Sequence, residues 1–432
     1  IISYQRDKIP PWLYGIGLAI YDLLALQWQH AYYDARGVQG LCPPLTCEGL
    51  KCGYRYIDAF TDDARLVLRI LRQAVKEGGT ALNYAQVVEL LKDRNGKIRG
   101  VVIQDKADGN GRTREIMADM VVNATGAWAD DIRALKLGVS DGTQRKKEKR
   151  LRKLRGSHLI IPFHRLPLNR SVSFLHPIDN RPVFVFPWEG VTLIGTTDVD
   201  HTNAPQTDPC ASEAERSYLL DALKFAFPGQ KLDYEDVQCT YAGIRAVVDT
   251  GKRDPSKESR EHVLWYENGL LTITGGKLTT FRLMAKAVLN FLRRKYPDRI
   301  KYLSDQTIFT PAKDILSTNH DLSPLTLLRL TGRYGFEATE MIASSDQSEM
   351  MPILNLPALW SELRWAARAE GVVHLDDLLL RRVRIGLTLP NGGIPMLDQI
   401  KNIVQPELDW SNERWEKEAK EYSRLWQACY SP

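Results

Sequence analysis

The pattern of apolar and polar positions changes character several times along the chain. Ile9 to Leu26 is a nearly continuous apolar stretch with two prolines at its start and Asp22 inside it. It falls short of the roughly 20 uninterrupted apolar residues that span a bilayer, so it reads as a buried or interfacial helix. From Asp62 to Glu77 the period is helical: Val67, Ile70, Leu71, Ala74 and Val75 share one face, and Gly78-Gly79 ends the run. The period then shortens. Val87–Leu91, Ile98–Gln104 and Ile116–Val122 read as a three-stranded meander, its first turn at Asn95-Gly96 and its second at Gly109-Asn110-Gly111.

A basic run from Arg145 to Arg155 reads as a solvated loop. Strand patterns follow at His158–Pro162, Val172–Leu175, Val183–Pro187 and Val191–Gly195. A helix over Glu213–Phe227, a strand over Val237–Ile244 and a strand over Leu270–Thr274 come next. A further helix reaches about Arg294, with Phe281, Met284, Ala285, Val288 and Leu292 as its stripe. Beyond Pro311 strand signals vanish and helices are predicted at Leu325–Leu330, Leu359–Glu370, Asp376–Ile385 and Ser411–Ala428. In the last of these, Trp415, Ala419, Tyr422 and Trp426 share a face. A boundary is expected between residues 298 and 312, dividing the chain into a mixed region, 1–305, and a helical domain, 306–432.

Composition narrows the class. A chain of 432 residues with 44% hydrophobic and 26% charged positions has the make-up of a folded protein with more than one core. The formal charge of +5 is too small to argue for nucleic acid, and it suits an anionic small substrate or an anionic membrane face. The six cysteines form no CxxC pair, which weighs against zinc. They read as reduced thiols of a cytosolic protein.

Chemistry concentrates at three places. Asn123-Ala124-Thr125-Gly126 closes a strand with small residues that let a flat or phosphorylated ligand reach the backbone, although an ordinary strand-to-helix turn reads the same way. Gly275-Gly276-Lys277-Leu278-Thr279-Thr280 lies between strand and helix, where free N–H groups and a lysine favour an anion. The alternative there is a tight turn capped by Thr279 or Thr280. Arg155, His158, Arg245, Arg260 and His262 are scattered candidates, with Arg245 at a strand end, suited to gripping a phosphate bidentately.

Six motifs occur in a fixed order: Arg155-Gly156-Ser157-His158, Phe184–Trp188, Ile194-Gly195-Thr196-Thr197-Asp198, Tyr241–Arg245, Ser259-Arg260-Glu261-His262 and Gly275–Arg282. Together they resemble the FAD-dependent glycerol-3-phosphate dehydrogenases. The likeness extends to Pro11–Ala25, Asp62–Leu66, His374–Arg382 and Gly386-Leu387. It implies an α/β flavoprotein fold of the amino-acid-oxidase type, with α+β parts: an FAD domain, an antiparallel substrate-binding sheet and an all-helical C-terminal domain. It implies FAD as cofactor and oxidation of sn-glycerol 3-phosphate to dihydroxyacetone phosphate. Electrons would pass to a membrane quinone from a cytoplasmic protein, a homodimer among the options, held peripherally on the inner membrane. Cofactor contacts are implied for Val87, Ala124, Thr125, Gly126, Gly275, Gly276, Lys277, Leu278 and Thr279. Arg245, His158 and Arg260 are implied for the substrate, with His158 as base, Lys277 beside the flavin and Arg245 as clamp. The family's G-x-G-x-x-G fingerprint occurs nowhere in the chain, since Gly15-Ile16-Gly17 lacks the third glycine. The expectation is a chain without that N-terminal dinucleotide-binding segment, binding FAD weakly. A glycerol-3-phosphate oxidase using oxygen, an amine or amino-acid oxidase, and a truncated non-catalytic chain are the alternatives.

Overall fold

The computed structural model describes residues 1–137, 150–201, 208–251, 258–259, 261–300, 307–310 and 322–432. At the N-terminus β1 (Ile2–Tyr4), α1 (Pro11–Ala25), β2 (Ala31–Asp34), α2 (Ala35–Leu41) and β3 (Leu50–Arg55) make a small antiparallel sheet in the order β1-β3-β2. Helix α1 buries only Leu18 and Asp22. The Asp22 carboxylate accepts from the backbone N–H of Gln29 at 2.8 Å and of His30 at 3.0 Å, and pairs with His30 Nδ1 at 2.7 Å. The one acid in the apolar stretch thus ties down the chain as it leaves the helix.

Helix α3 (Asp63–Lys76) starts where the Asp62 side chain accepts from the Arg65 N–H, one residue inside the predicted boundary. β4 (Ala85–Lys92), β5 (Ile98–Asp105) and β6 (Thr113–Met117) form the meander. The sequence pattern merged its third strand with the next one. The structure breaks Ile116–Val122 after Met117, and β7 (Val121–Asn123) leaves the meander to pair elsewhere. A 3₁₀ turn over Gly126–Trp128 then leads into α4 (Ala129–Leu137).

β8 (Leu151–Pro162) is longer than predicted. Residues 151–155 of the expected solvated basic loop belong to this strand, and residues 145–149 lie outside the described residues. Their charges are used: Arg152 pairs with Asp200 at 2.5 Å and Arg155 with Glu215 at 2.6 Å. β9 (Val172–Leu175), β10 (Pro182–Trp188), β11 (Val191–Gly195), β12 (Val199–Asp200), α5 (Glu213–Ala226) and β13 (Cys239–Val248) follow. β13 takes one edge of β8 along most of its length, while β11 and β12 share the other, and β10 and β9 extend the sheet. β14 (Val263–Glu267), β15 (Leu270–Thr274) and α6 (Phe281–Lys295) close the mixed region. β15 pairs antiparallel with β14 and parallel with β7. The predicted stripe on α6 is half-buried at Phe281, Met284, Val288 and Leu292, with Ala285 exposed and no residue of that helix fully buried.

The C-terminal part is helical: α7 (Pro324–Tyr334), α8 (Ala338–Ala343), α9 (Trp360–Ala369), a π turn at Asp377–Arg382, α10 (Ile385–Thr388), α11 (Leu397–Leu408) and α12 (Asn412–Cys429). The expected division between 1–305 and 306–432 falls at residues outside the described ones. Alternation along the antiparallel sheet supplies two cores. Leu159, Ile161, Val185 and Ile194 pack with Leu219, Leu220 and Leu223 of α5. Ile160, Leu193 and Cys239 face the other way and pack with Leu363, Leu378, Trp415 and Trp426 of the helical part.

Cys210 and Cys429 are disulfide-bonded across 219 residues, which corrects the reading of all six cysteines as thiols. Packing brings the end of α12 to the segment before α5, a proximity no sequence spacing reveals. No helix among the described residues is long and apolar enough to cross a membrane.

Buried ion pairs fasten α3 to the helical part. Arg65 donates to both Glu370 oxygens at 2.7 and 2.8 Å, with both side chains almost fully shielded. Removing one partner strands a buried charge. Arg65→Met is therefore expected to destabilise the chain by about 3–5 kcal/mol in equilibrium urea unfolding. A loss below about 1 kcal/mol, the value of an exposed pair, would contradict this role.

Candidate active site

Two glycine turns meet at one end of the β14-β15-β7 sheet. β7 and β15 run parallel with Asn123 beside Thr272, so both strands deliver their carboxyl ends to the same edge. Ligands of open α/β sheets collect at that edge. Buried Asn123 fixes the first turn: its Nδ2 donates to the Ala129 carbonyl at 2.9 Å and to Thr272 Oγ1 at 3.2 Å, and its Oδ1 accepts from Thr125 Oγ1 at 2.7 Å. Gly126 has φ +56° with open space where a Cβ would stand. In the second turn Gly275 and Gly276 have φ of +76° and +77°, and a Cβ there would strike the Glu261 carbonyl and Met284 Sδ. Neither position tolerates a side chain. Lys277, Leu278 and Thr279 are exposed beside them, and the Lys277 N–H is met by Thr280 Oγ1 at 3.0 Å. Thr280 stands at the cap position of α6, as one of the two expected threonines, but its side chain makes no cap hydrogen bond to the helix and turns back to Lys277 instead. Thr274 Oγ1, at the end of β15, is buried with no hydrogen-bond partner among the described residues.

The antiparallel sheet contributes a second wall. Residues directly opposite one another share a face. Phe184 stands opposite Gly195, Gly195 opposite His158, and His158 opposite Tyr241. Arg245 lies two positions further along that face of β13, opposite Leu154. His158 stacks on Tyr241 with centroids 4.7 Å apart. Arg245 donates to Thr196 Oγ1 at 3.1 Å, its Nη1 lies 3.7 Å from Asp198 Oδ1, and about a third of its side chain is exposed. A methyl at Gly156 would collide with the Arg245 guanidinium, and one at Gly195 with the His158 ring. These glycines clear space for the Arg245 and His158 side chains. β13 also packs against both β15 and the Gly126–Trp128 turn, which brings this wall to the glycine turns.

Not every predicted residue joins the site. Arg155 points to the opposite face and pairs with Glu215 on α5. His262 lies beside Gly276. Val87 is half-buried on β4 and packs against Leu90, Ile98 and Leu270. Arg260 lies outside the described residues. Asp198 and Glu215 escaped the sequence reading as site residues. Asp198 closes a quoted motif, and Ser212-Glu213-Ala214-Glu215 is a capping-box pattern, so its carboxylate reads as a helix cap. Beyond Phe184 a pocket of about 520 Å³ opens at the β9 edge, lined by Tyr54, Ile57, Phe60, Arg170, Phe184 and Phe186 among others.

Burial, reinforced by the Arg245 charge, pulls the His158 imidazole down to about 4. The sequence reading took His158 as a base because an unperturbed imidazole titrates near neutrality, and here the ring is neutral well below that. Its Nδ1 is buried with no hydrogen-bond partner among the described residues.

Comparison with known proteins identifies the family. Residues 17–282 match a family described as FAD dependent oxidoreductase, and residues 284–415 match one described as the C-terminal domain of alpha-glycerophosphate oxidase. The chain is 30% identical over 420 residues to an aerobic glycerol-3-phosphate dehydrogenase of Staphylococcus aureus, covering 92% of this chain and 74% of the relative. The corresponding Staphylococcus saprophyticus protein is also 30% identical, over 85% of this chain and 68% of its own length. Among solved structures, the glycerol-3-phosphate dehydrogenase from Bacillus halodurans complexed with FAD superposes with a TM-score of 0.69 at 25% identity, covering 92% of this chain and 79% of that one.

The depressed histidine gives a measurable pH signature. An imidazole that titrates at 6.5 unfolded and at about 4 folded makes the unfolded chain bind more protons between those values, so stability declines as pH falls through that window. By NMR of histidine-labelled protein, His158 should titrate near 4, and Arg245→Met should raise that value. Titration near 6.5 in the unsubstituted chain would contradict the burial argument.

Proposed function

The chain belongs to the family of FAD-dependent oxidoreductases that includes the aerobic glycerol-3-phosphate dehydrogenases, and from that premise we propose that it oxidises sn-glycerol 3-phosphate to dihydroxyacetone phosphate. The observation that carries the reading is the meeting of two walls: a glycine-lined strand edge open to a flat cofactor, and a sheet face bearing His158 and Arg245.

The residues present fit FAD at the strand edge. Gly275 and Gly276 leave no room for side chains, Gly126 borders open space, and Thr274 Oγ1 is a buried group with no hydrogen-bond partner among the described residues. Ala124, Thr125 and Gly126 on one side, with Gly275 to Thr279 on the other, would hold the cofactor, while Val87 belongs to the packing between β4, β5 and β15. When bound, FAD supplies the two-electron oxidising power. Lys277 would place positive charge beside it.

The chain's own groups then divide the remaining work. Arg245 presents a planar guanidinium from an open part of the sheet, with Thr196 and Asp198 fixing its orientation and room left for a phosphate. His158, neutral across the physiological range, can take the substrate hydroxyl proton. Its stacking on Tyr241 holds the ring in one plane. Arg260, from the resemblance, completes the substrate set.

The acceptor is proposed to be a membrane quinone. The support is α1, which exposes Trp12, Ile16, Ile20, Leu23 and Leu24, the last at 81%. A patch of this kind rarely faces water in an isolated globular chain, and it fits peripheral docking on a lipid surface. Tyr21 of α1 packs edge-on to Tyr56, at the rim of the 520 Å³ pocket that reaches Phe184. This pocket, between Tyr56 and Phe184, is the place proposed for an apolar acceptor.

Two experiments test this. With FAD added, the chain should form dihydroxyacetone phosphate from sn-glycerol 3-phosphate and reduce a quinone analogue faster than oxygen. Arg245→Lys should raise KM by roughly 10- to 100-fold, the size of a lost bidentate charge-assisted contact. An unchanged KM would remove Arg245 from the substrate, and faster peroxide production would identify an oxidase instead. In vesicle flotation, Leu24→Glu combined with Ile20→Glu should abolish co-flotation with anionic liposomes, and retained flotation would rule out α1 as the contact.

A further inference from the structure

The segment linking β11 to β12, Thr196-Thr197-Asp198, runs along the edge of β8 and is gripped from both sides of the sheet. The segment is irregular, and its hydrogen bonds show its side chains pointing in opposite directions. Thr196 and Asp198 turn toward Arg245: Thr196 Oγ1 accepts from the guanidinium at 3.1 Å, and Asp198 Oδ1 lies 3.7 Å from it. Thr197 turns the other way and donates its hydroxyl to Glu215 Oε1 at 2.7 Å. Glu215 sits in the first turn of α5, behind the sheet.

Glu215 is fully engaged there. Oε1 also accepts from Ser157 Oγ at 2.8 Å, and Oε2 accepts from Ser212 Oγ at 2.7 Å and pairs with Arg155 at 2.6 Å. The Ser157 N–H donates in turn to Thr197 Oγ1 at 2.9 Å. Burial alone would push this carboxyl up, yet the Arg155, Ser212 and Thr197 hydrogen bonds hold it at about 2. The carboxyl is therefore ionised at neutral pH, and a buried anion with five donors, the Ser212 N–H at 3.0 Å among them, is a rigid anchor. A helix cap needs only Ser212. Arg155, Ser157 and Thr197 exceed that need, and all three belong to the two strand segments that frame Arg245.

We propose that Glu215 is a positioning residue for substrate phosphate binding: by fixing Thr197 behind the sheet, it sets Thr196 and Asp198 so that they hold the Arg245 guanidinium in its binding orientation in front. The proposal rests on the reading of Arg245 as the phosphate clamp. Glu215 touches neither substrate nor cofactor. Its effect passes through one hydroxyl and one turn of backbone.

The test measures binding of dihydroxyacetone phosphate and of inorganic phosphate to the full chain by isothermal titration calorimetry, with KM and kcat measured alongside on the FAD-supplemented protein. Thr197→Val keeps shape and charge while deleting the hydroxyl, so it tests the link with the Glu215 carboxylate left in place, and Thr197→Ser, which keeps the hydroxyl, controls for the Ser157 N–H it leaves unpaired. Thr197→Val is expected to weaken ligand binding and raise KM roughly tenfold, the size of one charge-supported hydrogen bond. The change in kcat should be smaller, and Thr197→Ser should restore binding. Glu215→Gln, where it folds, should match Thr197→Val. Arg245→Met is the control for the underlying reading. If it leaves binding intact, Arg245 is not the clamp and the proposal falls with that reading. If Arg245→Met abolishes binding while Thr197→Val and Glu215→Gln bind as the unsubstituted chain does, the clamp stands and Glu215 has no positioning role. A uniform fall in kcat with KM unchanged would likewise overturn the proposal.

Discussion

The register of β8 is the constraint on which the site depends. β13 holds one edge of this strand from Leu151 to Ile160, and β11 and β12 hold the other. Its alternation therefore has only one outcome. Even-numbered residues from Leu154 to His158 face the Arg245 side of the sheet, while Arg155 and Ser157 face α5. A slip of one residue would exchange the faces, burying His158 behind the sheet and bringing Arg155 to the front. Gly156 and Gly195 enforce the same register, because the atoms they lack would occupy the places of Arg245 and His158.

The second dependence is the parallel pairing of β7 with β15. Residues 123 and 272 are far apart in the chain, yet their pairing aligns two turns whose glycines alone permit close approach. The helical part supports these walls from outside. It covers the Ile160–Leu193–Cys239 end of the sheet face and is locked to α3 by buried arginine–carboxylate pairs. It leaves Phe184 and about a third of the Arg245 side chain exposed on the same face.

Much of this was legible in the sequence. Strands with clean boundaries, such as Val172–Leu175, Val191–Gly195 and Leu270–Thr274, are found where alternation and turn residues put them. The α12 face of Trp415, Tyr422 and Trp426 is buried as its spacing implied. The misses have physical causes. Ile116–Val122 looked continuous because apolar content does not record that a chain changes sheets. The basic run ending at Arg155 looked solvated because its partners, Asp200 and Glu215, lie 48 and 60 positions beyond Arg152 and Arg155. The Cys210–Cys429 bond and the Arg65–Glu370 pair are long-range events of the same kind. For the site, glycine turns and the order of motifs were readable, whereas the half of the machinery that works by opposite faces of one strand required the register.

The most direct measurement of the central claim is a crystal structure of the chain with FAD and dihydroxyacetone phosphate. The account predicts the phosphate within hydrogen-bonding distance of Arg245, the carbonyl toward His158, and the flavin against the Gly275–Gly276 turn. A phosphate bound away from Arg245, or a flavin seated on a different edge with the two walls empty between them, would contradict it.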